Sequence, residues 1–269
     1  MHDGEMTTKG YAFDNASEQA GSHHDALADL LDESTRELLG ALTELDGKRC
    51  LEVAAGAGSI AVWLAERGAE VVATDIAPQH IPARARLAVR RHDIVADGPL
   101  GLFDLVHARL LLGHLPRREE ALRRMVAAVA PGGVLLVGEF APAPGDFVTY
   151  APDEATADVL TRYMAAHAAA LVAAGFDLAW PQRAPAAFVA AGLTEVAFRV
   201  RGGSWRGGDP GCRLLRAGIP QLRPALLAQG LTDADLAAAI EALGDHRVIV
   251  NGFHFIQISG RAASSRGAA

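Results

Sequence analysis

Apolar residues along the chain form two kinds of segment that alternate with each other. Short apolar runs, typical of buried parallel strands, alternate with segments in which apolar residues recur every three or four positions, as on one helix face. The predicted strands are Cys50–Ala54, Glu70–Thr74, Ala88–His92, Phe103–His107 and Val134–Gly138. Helices are predicted at Ile60–Arg67 and Arg118–Ala130, the second ended by Pro131-Gly132-Gly133. This alternation predicts an α/β fold with a doubly wound parallel sheet.

The pattern changes after the fifth strand. Two further strands are predicted at Thr194–Arg201 and Arg247–Ser259, which makes a seven-stranded sheet. Three helical additions surround this core: an N-terminal leucine-rich helix ending near Leu42, and insertions at about Asp153–Ala174 and Cys212–Leu243. Pro78 and Pro82 break any helix after the second strand. Because loops at the carboxyl ends of parallel strands surround the ligand crevice, the additions are expected to build a substrate pocket.

The additions divide a single predicted domain, residues 1–269, into four parts. Residues 1–46 are predicted to be a helical cap and residues 47–140 the ligand-binding core. Residues 141–182 are predicted to be a helical lid insertion. Residues 183–269 return to the core with its last strands and a further helical insertion.

The segment from Leu51 to Ser59, LEVAAGAGS, carries the most specific chemistry of the chain. Gly56 and Gly58 allow a tight turn and a close backbone approach to a ligand between a strand and a helix. Glu52 at the strand tip would repel a pyrophosphate and attract a ligand that carries an ammonium and a sulfonium. Gly56, Gly58 and Ala61, followed by Asp75, also satisfy the dinucleotide fingerprint. The motif by itself therefore leaves two cofactor classes open.

Several separate segments between Arg49 and Phe140 resemble the class I S-adenosylmethionine-dependent methyltransferases, specifically the small-molecule branch found in bacterial natural-product pathways. These segments are LEVAAGAGS, VVATDIAP, RRHDI, FDLVHARLLLGHLP and ALRRMVAAVAPGGVLLVGEF. The resemblance implies a Rossmann-like seven-stranded sheet whose last strand is antiparallel, S-adenosylmethionine as cofactor, and methyl transfer to a small-molecule acceptor by in-line displacement. Ala54 departs from the family pattern, because members usually carry glycine there.

Cofactor contacts are expected along the ends of the first four strands. Glu52 is assigned to the methionine end, although it could instead cap the loop N–H groups. Asp75 is expected to accept from both ribose hydroxyls, with N-capping at Ile76 as the alternative. The resemblance implies that Asp93 accepts from the adenine amino group; a solvated loop acid is the alternative. The remaining predicted cofactor residues are Ala54, Gly56, Gly58, Ile76, Ile94, His107, Ala108 and Arg109.

Two residues are candidates for catalysis. A neutral His114 could accept a proton from the acceptor, and the aromatic face of Tyr11 could close over the sulfonium. For His114 the favoured alternative is a core-facing histidine bonded to backbone, and for Tyr11 packing of the cap is an equally good account. No metal is expected, because the remaining histidines lack metal-ligand spacing with cysteines or acids.

Composition narrows the remaining alternatives. The chain has 269 residues, half of them hydrophobic, and a net charge of −7 without a long basic stretch. Nucleic acid and membranes are therefore not expected as partners, and a homodimer is possible. A small-molecule acceptor is what the resemblance implies. Cys50 and Cys212 lie far apart and are predicted to be buried thiols. Without a signal peptide or a long apolar run, a cytoplasmic location is expected.

Two alternative functions stay open. One is a protein that binds S-adenosylmethionine without transferring a methyl group. The other is an NAD(P)-dependent oxidoreductase, which the fingerprint at Gly56, Gly58 and Ala61 permits. Hydrolase and nucleotide triphosphatase functions are excluded, because the chain has neither a G-x-S-x-G motif nor a lysine of the Walker type after the glycines.

Overall fold

A computed structural model describes residues 20–264 as a large mixed sheet, a small sheet and seven α-helices. The strands are β1 Arg49–Val53, β2 Glu70–Asp75, β3 Leu87–Arg91, β4 Phe103–Arg109, β5 Val129–Ala141, β6 Val148–Tyr150, β7 Thr194–Arg201, β8 Ser204–Arg206, β9 Ile249–Asn251 and β10 His254–Arg261. The helices are α1 Ala20–Leu42, α2 Ser59–Glu66, α3 Arg118–Ala127, α4 Glu154–Ala173, α5 Trp180–Ala190, α6 Pro210–Ala228 and α7 Asp233–Ala242. Short 3₁₀ turns occupy Pro78–His80 and Leu112–His114.

The large sheet has seven strands in the order β3-β2-β1-β4-β5-β10-β7. Strands β1 to β5 pair in parallel, and β10 is antiparallel to both β5 and β7. The predicted seven-stranded doubly wound sheet with an antiparallel last strand is therefore confirmed. The strand order reverses between β1 and β4, which is the point where open α/β sheets bind their ligands.

Two layers of helices cover this sheet. On one face α3 and α5 bury Leu122, Met125 and Phe188 against the strands. On the other face α1 and α2 contribute Leu39 and Leu64 to a second cluster. Burying both faces explains why the central strands read as continuous apolar runs instead of alternating ones.

The C-terminal part of the chain forms two strands where the sequence predicts one. The prediction of a single strand over Arg247–Ser259 is wrong, since β9 belongs to a small β6-β9-β8 sheet and β10 to the large one. The chain turns at Gly252, whose N–H donates to Gly203 O at 2.9 Å. A Cβ on Gly252 would lie 2.4 Å from the Trp205 ring, so only glycine fits at this turn.

A separate apolar cluster joins the small sheet to the helical additions. It contains Leu160 of α4, Leu222 of α6 and Leu236 of α7 together with Trp205 and Val250 of the small sheet. The predicted insertion at Cys212–Leu243 is thus two helices, the second of which begins with a capping box at Thr232. The lid insertion predicted at residues 141–182 contains β6 and α4, and its boundary falls inside α5.

The boundary between α3 and β5 also differs from the prediction. α3 ends at Ala127 instead of Ala130, and β5 begins at Val129 instead of Val134. Val129 pairs with Phe103 of β4, after which the register shifts. Pairing with β4 therefore places in a strand residues that the apolar pattern predicts to be helical. No helix within residues 20–264 combines the length and apolar character that crossing a membrane requires.

Candidate functional site

A cavity of about 880 Å³ opens at the carboxyl ends of the parallel strands. The loops after β1, β2, β3 and β4 form one end, and α4, α6 and the segments next to β6 and β9 form the other, with α1 along the side. The predicted residues that line it are Glu52, Ala54, Gly56, Asp75, Ile76, Asp93, Ile94, Arg109 and His114. Gly58, His107 and Ala108 are not among its described lining residues, and Tyr11 lies outside the described residues.

The loop after β1 has a strained and close-packed backbone. Ala54, Gly56 and Gly58 have φ values of 55°, 57° and 79°, in the left-handed region that favours glycine. A Cβ on Gly58 would lie 2.8 Å from Ile81 Cγ2. Gly58 therefore packs against Ile81 and does not line the cavity. Ala54 adopts the conformation for which glycine is preferred, consistent with its place in the motif.

Replacing Ala54 by glycine is expected to stabilise the fold. Left-handed backbone costs an L-residue about 1–2 kcal/mol, whereas the extra unfolded-state entropy of glycine costs roughly 0.5–1 kcal/mol. Ala54→Gly should therefore raise the urea midpoint slightly. Ala57→Gly is the matched control, because Ala57 lies in the same loop without a positive φ and should lose stability. Equal losses in both variants would contradict the assignment of strain to Ala54.

Asp75, at the end of β2, holds the glycine loop in place. Its Oδ2 accepts from Gly56 N–H and its Oδ1 from Ala77 N–H, both at 2.9 Å. The side chain is buried but lines the cavity. Each carboxylate oxygen has a second lone pair, so these bonds leave acceptor capacity on the cavity side.

Glu52 is paired with a histidine of the neighbouring strand. Its Oε2 lies 2.7 Å from His107 Nδ1, and both side chains are buried. The parallel pairing of β1 with β4 places the two residues opposite each other. His107 thus lies behind Glu52 and orients its carboxylate at the cavity wall. The order of the two strands along the sheet is the signal that could have indicated this pair.

Arg109 joins the end of β4 to α1. Its Nη1 donates to Asp32 Oδ1 at 2.9 Å, and Ser59 Oγ at the start of α2 donates to the same oxygen at 3.1 Å. Arg36 binds the other oxygen of Asp32 at 2.9 Å. Asp32 is 5% exposed, so this carboxylate is a buried junction between the first helix and the core. Sequence analysis missed it, because Asp32 lies among the leucines of an ordinary amphipathic helix.

Asp93 organises the turn after β3. Its Oδ1 accepts from Val95 N–H at 2.7 Å and from Ala96 N–H at 3.2 Å. Asp93 N–H in turn donates to Asp97 Oδ2 at 2.8 Å. Asp93 and Ile94 both line the cavity, next to the tip of β2. Glu52, Asp75 and Asp93 therefore lie at the ends of three adjacent strands, around one end of the cavity.

His24 of α1 covers the glycine loop from above. A Cβ on Gly56 would lie 3.2 Å from His24 Cε1, which means that the imidazole packs directly on the loop backbone. His24 Nε2 is buried and has no hydrogen-bond partner among residues 20–264. Burial, and next the neighbouring His80, lower the pKa of His24. A neutral ring thus packs on the loop that the motif predicts to bind a ligand, through its Cε1 and Nδ1 atoms.

Three further histidines of the cavity wall are neutral at physiological pH. Burial lowers the pKa of His23, His114 and His167 to about 4. The His114 ring packs on Phe176, with a centroid distance of 4.5 Å. A neutral imidazole can accept a proton, so the geometry keeps His114 as a candidate base without selecting it over the others.

Glu139 of β5 supports the turn that carries His114. It is fully buried, and its Oε1 accepts from Leu112 N–H at 2.7 Å. Burial raises the pKa of Glu139 to about 7. A Cβ on Gly113 would lie 2.6 Å from the Phe176 ring and 3.3 Å from Glu139 Oε2, which explains the glycine in this turn. Sequence analysis did not single out Glu139, because it lies inside a continuous apolar strand.

The end of the cavity farthest from the glycine loop is apolar and aromatic. Phe140 and Phe253 pack there with ring centroids 5.5 Å apart, and Met164, Leu171 and Leu215 add aliphatic surface. Cys50 and Cys212 are free and buried away from this wall, as predicted, and burial raises the pKa of both thiols to about 12. Within residues 20–264 no group of three His, Cys, Asp or Glu side chains is arranged to hold a metal ion.

Comparison with known proteins agrees with this architecture. The model of a family described as a methyltransferase domain matches residues 23–186, more than half of the chain. The methyltransferase str3 of Strobilurus tenacellus is 33% identical over 129 residues, which cover 45% of this chain and 44% of that protein. The demethylmenaquinone methyltransferase of Thermus thermophilus is 38% identical over 108 residues, 36% of this chain and 49% of that protein. The chain thus matches less than half the length of either relative.

Solved structures show the same fold at low sequence identity. The phosphoethanolamine N-methyltransferase 2 of Haemonchus contortus, solved with phosphomonomethylethanolamine and S-adenosylhomocysteine, superposes with a TM-score of 0.57 at 14% identity. The superposition covers 92% of this chain and 58% of that protein. Together with the family match over residues 23–186, the sheet order and the carboxylate-ringed glycine loop identify the chain as a member of the class I S-adenosylmethionine-dependent methyltransferase family.

Proposed function

We propose that this chain binds S-adenosylmethionine at the glycine-loop end of the cavity and transfers its methyl group to a small, largely apolar acceptor at the other end. The observation that carries the proposal is the ring of Glu52, Asp75 and Asp93 at three adjacent strand ends. Carboxylates there suit a ligand with an ammonium, a sulfonium and ribose hydroxyls, and they oppose a pyrophosphate.

The cations near the loop support the same choice. Among the described lining residues Arg109 is the one lysine or arginine, and it is bound to Asp32, which also binds Arg36. A pyrophosphate at the glycine loop would therefore meet three carboxylates, and the one guanidinium of the lining is already engaged by Asp32. The residues present fit S-adenosylmethionine: Glu52 would face its methionine end, Asp75 its ribose and Asp93 its adenine.

When bound, S-adenosylmethionine supplies an activated methyl group on a positively charged sulfur. The chain has to orient the two reactants and exclude water, which explains why no nucleophile triad is required. Asp75 fixes the loop through Gly56, and α1 closes the side of the cavity through the Asp32–Arg109 ion pair. The apolar far end desolvates the acceptor. His114, with a neutral ring, and Tyr11 remain the proposed groups for proton acceptance and sulfonium packing.

The size and lining of the cavity support a small-molecule acceptor. Ligand pockets are typically about 300–1,000 Å³, and this cavity of about 880 Å³ lies near the upper end, so it has room for cofactor and acceptor together. A relative carries the name demethylmenaquinone methyltransferase and another ubiquinone biosynthesis O-methyltransferase. These names support an acceptor with an apolar body. A role in secondary metabolism is proposed from the resemblance of the core motifs.

Calorimetry with the purified chain tests the cofactor. S-adenosylmethionine and S-adenosylhomocysteine are expected to bind, and NAD is expected to give no heat of binding, because Glu52 and Asp75 oppose its pyrophosphate. Glu241→Gln, which changes the net charge at an exposed position of α7, should bind the same ligands as the wild type. Binding of NAD in preference to S-adenosylhomocysteine would overturn the proposed function.

A further inference from the structure

His167 of α4 lies in the cavity wall, on the helical insertion. Its ring stands between Tyr163 and Phe253, with centroid distances of 5.8 and 6.3 Å, and its plane is 20° from that of Phe253. The residue is 6% exposed and lines the cavity. His167 is therefore a polar ring placed in an aromatic and aliphatic surface.

The His167 ring forms no hydrogen bond with another residue in the described range 20–264, and its nitrogens are not among the fully buried unpaired atoms, so they are open to the cavity. A neutral imidazole has one N–H donor and one acceptor nitrogen, and in this apolar wall only water or a ligand in the cavity can pair with them. A few polar groups in an otherwise apolar pocket fix the orientation of the ligand, so the His167 ring indicates a polar atom of that ligand.

The surroundings restrict what that ligand atom can be. His23 of α1 is the described titratable group that interacts with His167 electrostatically, and both rings are neutral because burial lowers their pKa to about 4. The one lysine or arginine among the described lining residues is Arg109, which is bound to Asp32. An anionic group beside His167 would therefore be uncompensated. A hydroxyl or carbonyl oxygen can pair with a neutral imidazole without bringing a charge into this surface.

We propose that His167 is a specificity-determining residue that recognises an uncharged oxygen substituent on a flat, apolar methyl acceptor. The inference rests on the proposed function, because it takes the far end of the cavity as the acceptor end. Phe140 and Phe253 supply flat surfaces for a ring, and Met164 and Leu215 close over its edge. The oxygen orients the ring within an otherwise non-directional pocket.

Matched bicyclic probes test this recognition. Ligand-observed NMR on the chain saturated with S-adenosylhomocysteine should compare naphthalene, 1-naphthol and 1-acetylnaphthalene, which share the flat naphthalene ring system and differ in the oxygen substituent. We expect both oxygenated probes to bind roughly fivefold to tenfold more tightly than naphthalene, from the gain of one buried hydrogen bond. The comparison of naphthol with acetylnaphthalene separates a hydroxyl from a carbonyl as the preferred group.

Variants of α4 attribute the preference to one ring. His167→Phe should bind all three probes equally, whereas His167→Gln, which keeps a donor and an acceptor, should retain the preference for oxygen. Tyr163→Phe is the matched control on the same helix, since the Tyr163 hydroxyl bonds Leu215 O instead of facing the cavity. Thermal melts and S-adenosylhomocysteine binding verify that each variant is folded.

Three results would overturn the proposal: equal binding of the three probes to the wild type, a preference that persists in His167→Phe, or no binding of any probe. If the wild type does not bind S-adenosylhomocysteine, that result would instead contradict the proposed function. The two failures are therefore distinguishable, because the cofactor product is titrated before any probe is added.

Discussion

Asp75→Ala is expected to weaken the binding of S-adenosylhomocysteine ten- to hundredfold. A hydrogen bond to a charged group is worth about 1.5–3 kcal/mol, which corresponds to that range in the dissociation constant. The carboxylate accepts hydrogen bonds from the N–H groups of Gly56 and Ala77, both at 2.9 Å. It also faces the cavity where the ribose is proposed to lie. Calorimetry on the variant measures both effects together. Asp233→Ala, at an exposed α7 position with no cavity contact, is the control.

A second ligand pair separates loop support from ribose contact. Adenosine should bind the wild type more tightly than 2′,3′-dideoxyadenosine, which lacks both hydroxyls, and this difference should vanish in Asp75→Ala. A thermodynamic cycle over protein and ligand isolates the contact, because the loss of loop support affects both ligands equally. If the two nucleosides keep the same affinity ratio in the variant, Asp75 acts only through the glycine loop and its assignment to the ribose fails.

The large sheet was predictable because its signals are local. Each central strand is buried on both faces and reads as one apolar run, and each site acid lies at or just beyond the carboxyl end of a predicted strand. Glu52, Asp75 and Asp93 were therefore identifiable as neighbours from the sequence alone, since parallel strands end at the same edge. The same logic failed at Gly252, where two short strands belong to different sheets and the sequence shows one apolar segment.

The interactions that hold the site were not predictable from local pattern. Arg109 and Asp32 are 77 positions apart, and Glu52 and His107 are 55 apart. The first pair depends on how α1 docks on the core, and the second on which strands are adjacent and in what register. Glu139 and His167 were missed for a related reason, because each is a single polar residue in an apolar or small-residue segment. Burial and an unpaired Oε2 distinguish Glu139, and a place in the apolar cavity wall distinguishes His167.

The folded chain is expected to lose much of its stability between pH 6.5 and 4.5. Burial lowers the pKa of His23, His114 and His167 from 6.5 to about 4. Below pH 6.5 these three imidazoles bind protons in the unfolded chain but stay neutral in the folded chain. Acid therefore favours unfolding until the pH reaches the folded pKa values. One pKa unit corresponds to about 1.4 kcal/mol, so each histidine contributes roughly 2–3 kcal/mol over this range.

Glu139 opposes this loss. Burial raises its pKa from 4.5 to about 7, so between these values the folded chain holds a proton that the unfolded chain releases. Its contribution to stability therefore increases as the pH falls from 7 to 4.5, by about 3 kcal/mol. The net loss from three histidines and one carboxyl is roughly 5 kcal/mol, which is comparable with the whole stability of a small domain.

Urea unfolding at several pH values between 8 and 4.5 measures this net proton uptake as the slope of the free energy of unfolding against pH. His167→Phe should make the slope shallower by about one proton, and Glu139→Gln should make it steeper by about one, since each removes one of the opposing groups. His246→Gln, at an exposed position, is the matched control. A wild-type stability that stays constant down to pH 4.5, or opposite slope changes in the two variants, would show that these groups are not buried as the fold places them. Because the same histidines line the cavity, agreement would also indicate that the imidazoles of the cavity wall are neutral in the folded chain.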